Sequence, residues 1–99
     1  MGRGTEAQGD FSFAFGDESE AQASNSIAMG NDAFATSNDA VAIGRDAFAS
    51  GESAVAMGGN EASGDYSTAL GIETEASGSR STAMAVSYTH LTLPTILLV

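Results

Sequence analysis

Glycine recurs on a fixed beat. It stands at Gly2, Gly16, Gly30, Gly44 and Gly58, each 14 residues from the last, and after one step of 13 at Gly71, with Ala85 in the following slot. Aligned on that beat, Phe13-Ala14-Phe15-Gly16, Ile27-Ala28-Met29-Gly30, Val41-Ala42-Ile43-Gly44, Val55-Ala56-Met57-Gly58, Thr68-Ala69-Leu70-Gly71 and Thr82-Ala83-Met84-Ala85 fall into one column set. A second alanine column, Ala7, Ala21, Ala35, Ala49, Ala62 and Ala76, runs half a repeat earlier. Both columns resume in register after the short step, so its missing residue lies between Gly58 and Ala62, in a turn. A period held over six units marks a chain built from stacked copies of one small motif.

Fourteen residues is also two heptads, so a coiled coil is the rival. Spacing inside the unit decides against it. Large apolar residues recur at i and i+2, as in Val41 and Ile43 or Val55 and Met57. That is strand alternation, whereas a coiled-coil seam steps by three and four. Twelve glycines, at about 1 kcal/mol each inside a helix, add a second objection. Each unit is therefore expected to hold two short strands separated by turns, for example Ala47–Ser50 followed by Ala54–Met57. One coil rises by one strand spacing, about 4.8 Å, so six coils would make a rod about 29 Å long with like residues in ladders.

The alternation gives each second strand two faces, with Ile27 and Met29 on one and Ser26, Ala28 and Gly30 on the other. The expectation from volume is that the large residues lie inside the coil against a small-residue first strand, because large opposite small fills a thin interior. The Ser-x-Ala-x-Gly face would then be outside, flat and nearly uncharged, and suited to close approach by further copies of the chain. A single coil buries too little to offset its own ordering, so stacking and self-association are both expected.

Composition excludes several functions. There is no cysteine, hence no disulfide framework and no thiolate metal site. Thirteen acidic residues against three basic ones give a formal net charge of -10, which repels nucleic-acid backbones and anionic lipid. His90 has no nucleophile or second ligand near it in sequence, so no triad or zinc site can be assembled. Asp17, Glu18, Asp32, Asp46, Glu52 and Asp65 fall in turns and are read as solvated rather than as calcium ligands or an acid–base pair. The Gly58-Gly59 pair does not supply the nine-residue calcium β-roll motif, and with no lysine in the chain there is no phosphate loop. No catalytic, cofactor-binding or metal site is expected, and no small-molecule substrate.

Asn25-Ser26-Ile27-Ala28-Met29-Gly30, with its versions Asp39-Ala40-Val41-Ala42-Ile43-Gly44 and Ser53-Ala54-Val55-Ala56-Met57-Gly58, resembles the head repeat of trimeric autotransporter adhesins of the YadA type. The resemblance covers about residues 2–85. It implies an all-β, left-handed parallel β-roll, a homotrimer, and a rod outside the bacterial outer membrane that binds extracellular matrix protein or host cell surface. The stalk and membrane anchor of that family are not in this sequence. The pattern departs from the family where Phe11, Asp39, Ser53, Tyr66 and Arg80 take the Asn slot and where Thr68 and Thr82 replace Val or Ile toward the end. Ice-binding solenoids and phage-fibre spikes share the stacked architecture and are the alternatives. Phe34 and Phe48, one coil apart on the outward side of the first strand, would form either an adhesive patch or a contact with a neighbouring subunit.

The beat stops after Ala85. Residues 86–99 contain the only proline and the only histidine, and end on an apolar run from Ile96 to Val99. This tail is foreign to the repeat and resembles translated adapter sequence; a terminal strand capping the roll is the alternative.

Overall fold

A computed structural model describes residues 2–84, and all of its regular structure is β. In chain order the strands are β1 (Glu6–Ala7), β2 (Phe13–Asp17), β3 (Glu20–Ala21), β4 (Ile27–Asn31), β5 (Phe34–Ala35) and β6 (Val41–Ile43). They continue with β7 (Phe48–Ala49), β8 (Val55–Met57), β9 (Glu61–Ala62), β10 (Thr68–Leu70), β11 (Glu75–Ala76) and β12 (Thr82–Met84). The odd-numbered strands form one parallel six-stranded sheet and the even-numbered strands another. The chain is thus a parallel β-solenoid of six coils, each contributing one short strand to each sheet. The strands are shorter than the alternation alone indicates: the segment expected as Ala47–Ser50 pairs only over Phe48–Ala49.

Coils stack in strict register. Ala28 pairs with Ala42, Ala42 with Ala56, Ala56 with Ala69 and Ala69 with Ala83. The hydrogen bonds run from each coil to the next: Ile27 N–H donates to Ala40 O at 2.9 Å and Phe34 N–H to Ala47 O at 2.8 Å.

The corners explain the repeat. Each regular coil turns at two left-handed residues seven apart, such as Asn25 and Asp32, then Asp39 and Asp46, all with φ near 60°. Asn and Asp tolerate this conformation better than other non-glycine residues. Gly30, at φ 137°, occupies a region closed to L side chains, and a Cβ there would overlap the carbonyl oxygen of Gly44 in the next coil. The glycine beat is therefore the point at which one coil's backbone lies against the next.

The interior corrects the face assignment made from volume. Ala33, Ala35, Ala40 and Ala42 of one coil are fully buried, as are Ala47, Ala49, Ala54 and Ala56 of the next. Ile27 is only half-buried and Met29 is 39% exposed, so the large residues face outward. The reason is width. With so few residues in each corner, the two sheets of a coil leave room for little more than methyl groups, and branched apolar side chains there would overpack. Ser19, Ser26 and Ser67 replace alanine at interior positions, and the first two donate to the carbonyls of Phe15 in β2 (2.9 Å) and Ala23 in the turn (2.6 Å).

The short unit is closed from within. β9 pairs with β7 in the expected register, Phe48 with Glu61 and Ala49 with Ala62, so the lost residue lies in the turn, as the sequence indicates. Asn60 stands where other coils have Ala33 or Ala47, and its Nδ2 donates to the carbonyls of Met57 (2.7 Å), Ala69 (2.9 Å) and Gly71 (2.6 Å). The expectations for 86–99 fall outside the described residues.

Candidate interaction faces

Because the alanines point in, the even-numbered sheet presents its large residues outward in two columns. One runs Phe13, Ile27, Val41, Val55, Thr68 and Thr82; the other runs Phe15, Met29, Ile43, Met57, Leu70 and Met84. The face is apolar along the whole second column and from Phe13 to Val55 in the first, with Thr68 and Thr82 as its polar rungs, and it is open, with Phe13 57%, Met57 42% and Met84 70% exposed. The Phe13 and Phe15 rings stack with centroids 6.3 Å apart. A contiguous apolar surface of this kind marks an interaction site rather than scattered exposed residues. The Ser-x-Ala-x-Gly face expected to mediate association is buried inside the coil, with Ser26 and Ala28 fully enclosed. The surface available for association is its opposite.

The odd-numbered sheet carries a different column, Glu6, Glu20, Phe34, Phe48, Glu61 and Glu75. Phe34 and Phe48 are half-buried outward neighbours in edge-to-face contact, centroids 6.3 Å apart, as their spacing indicates. Carboxylates flank them on both sides. Glu61 lies in register with Glu75, and desolvation followed by the adjacent Glu75 carboxylate pushes the Glu61 carboxyl above its ordinary range.

The corners carry the remaining polar side chains. Arg3 makes a two-pronged contact with Asp17, Nε to Oδ1 at 3.1 Å and Nη2 to Oδ2 at 3.0 Å, and Asn31 donates to the same carboxylate at 3.3 Å. At the opposite corner the Arg80 guanidinium lies 5.9 Å from the ring centroid of Tyr66. Glu18, Asp32 and Asp46 occupy left-handed turn positions, and the Glu52 N–H donates to Asp65 Oδ1 at 3.0 Å. A shallow notch beside the shortened turn is lined by Arg45, Asp46, Gly58, Gly59, Ile72 and Glu73. Among the described residues no three His, Asp or Glu side chains are gathered as a metal ion would need. His90 lies outside them. Sequence reasoning missed the Arg3–Asp17 and Tyr66–Arg80 contacts, although both pairs are 14 apart and the period places them on adjacent rungs.

Comparison with known proteins gives one family. The YadA head domain repeat, a two-copy unit, matches residues 1–19, 7–33, 21–47, 35–60 and 62–84. No curated protein and no solved structure matches the chain.

Proposed function

Since the chain belongs to the YadA head domain repeat family, we propose that it forms the head of a trimeric autotransporter adhesin, a non-catalytic module that binds matrix protein or host cell surface. The observation that carries this reading is the open apolar ladder from Phe13 to Met84 on the even-numbered sheet. Left free in water, such a face drives association, and its rungs repeat with the coil, so identical chains side by side can mate along their whole length. Three chains meeting through this face would make a homotrimer with a left-handed β-roll in each arm. The odd-numbered sheet, with Phe34 and Phe48 between acidic rungs, would then face outward as the display surface. Residues 2–85 are the adhesin head in this reading, displayed at the cell surface outside the outer membrane, and 86–99 are no part of it.

The net charge of -10 favours a basic protein partner over an anionic one. An ice-binding role is less well supported, because ranks of threonine are needed and among the described strands only Thr68 and Thr82 pair. The test is sedimentation of the purified chain together with binding to surfaces coated with collagen, fibronectin or laminin. A trimer that binds at least one of them supports the reading. A monomer, or a trimer that binds none while showing thermal hysteresis, removes it.

A further inference from the structure

Methionine occupies every second rung of one ladder column. Met29, Met57 and Met84 alternate with Ile43 and Leu70, and the strict register fixes them two coils apart, about 9.6 Å. Their side chains are open, at 39%, 42% and 70% exposure. The chain has four methionines, and these three all stand on the one apolar face. Bulk and apolarity alone do not require sulfur there, since Ile43 and Leu70 fill equivalent rungs. What distinguishes a thioether from isoleucine or leucine is that mild oxidants attack it.

We infer that Met29, Met57 and Met84 are a modification site at which a peroxide-class oxidant switches off self-association of the chain. The inference rests on the reading of this face as the surface between copies. The sulfur lone pair attacks one oxygen of hydrogen peroxide; an S–O bond forms, the O–O bond breaks, and the second oxygen leaves as water after proton transfer. Sulfur loses two electrons to become a sulfoxide, and the peroxide gains two. The product is a strong hydrogen-bond acceptor, set at Met29 and Met57 beside Ile27, Val41, Ile43, Val55 and Leu70, whose side chains hold no donor, and only at the Met84 end within a rung of the Thr68 and Thr82 hydroxyls. Burying it against a second apolar ladder leaves it unpaired, which weakens association by about tenfold or more per buried sulfoxide. Association in turn shields the sulfur, so oxidation and assembly oppose each other and the separated chain is the form that is modified.

The experiment is sedimentation velocity of the full chain before and after hydrogen peroxide, with sulfoxide assigned to each methionine by peptide mass spectrometry. Expected is loss of the assembled species once Met29, Met57 and Met84 each carry one oxygen, and retention of assembly after the same treatment in the M29L/M57L/M84L variant. Oxidised wild-type chain that sediments as the untreated assembly overturns the inference and leaves the self-association reading standing. A chain that is monomeric before any oxidant overturns both. Should the leucine variant lose its β circular dichroism, methionine sulfoxide reductase acting on the oxidised wild-type chain replaces it: recovered assembly supports the inference, and reduction without recovery defeats it.

Discussion

The Asn60 amide nitrogen lies 2.6 Å from the carbonyl oxygen of Gly71, reaching from inside the shortened coil to the next turn. Two further carbonyls, of Met57 and Ala69, share the same NH2 group. Replacing Asn60→Ala gives this position the residue its counterparts Ala33 and Ala47 have, yet leaves these acceptors without their donor. A loss of about 1–3 kcal/mol in chemical denaturation is expected. Inserting one Asp after Gly59 in the same variant restores the 14-residue unit and should recover most of the loss.

The two faces of β6 give opposite mutational signatures. Ala42→Leu places a branched side chain between sheets that hold a methyl group at this rung and its neighbours, and should cost about 1–3 kcal/mol or more with weakened β circular dichroism. Val41→Asp, one residue away, puts a charge on the open ladder; the coil should keep its β signal while the assembly dissociates in sedimentation. Reversed results would return the large residues to the interior.

Gly30→Ala tests the contact between coils. The dihedral alone costs about 1–3 kcal/mol, and the methyl overlaps the backbone of Gly44 in addition. Thermal unfolding followed by circular dichroism should show a lowered midpoint, by more than for Ser24→Ala in the half-buried neighbouring turn.

Acid should stabilise the Glu61–Glu75 rung. Burial and the adjacent carboxylate raise the folded-state value of Glu61 above its unfolded value, so the folded chain binds the proton more tightly. The stabilisation is complete below the ordinary glutamate range and is lost as pH rises through the raised value. Denaturation midpoints measured from neutral to mildly acidic pH should therefore climb more in the wild-type chain than in Glu61→Gln, which should be the more stable of the two at neutral pH. Parallel pH profiles for the two proteins would refute the coupling.

The period, the parallel stacking and the position of the lost residue were all legible in the chain, because one spacing controls them. Phe34 over Phe48 followed from the same arithmetic. Which face is inside did not follow from Ile27 and Met29 alone, since a two-residue alternation looks the same from either side. The deciding signal was spread over a whole coil: Ala33, Ala35, Ala40 and Ala42 repeat at offsets of two and five, giving four small residues that converge on one interior. Asn60 was legible too, as a polar residue that shares a column with Ala33 and Ala47, but its role depends on carbonyl positions that only the folded turn supplies.

Among the described residues each coil pairs with the coil below and the coil above in the same register. Reach and chemistry are thereby decoupled: duplicating or excising one whole unit changes the length of the shaft by about 4.8 Å while creating no new kind of joint. A gene encoding such a shaft can drift in length by simple recombination between its own copies, and selection can tune how far the tip stands from its base without redesigning a single contact.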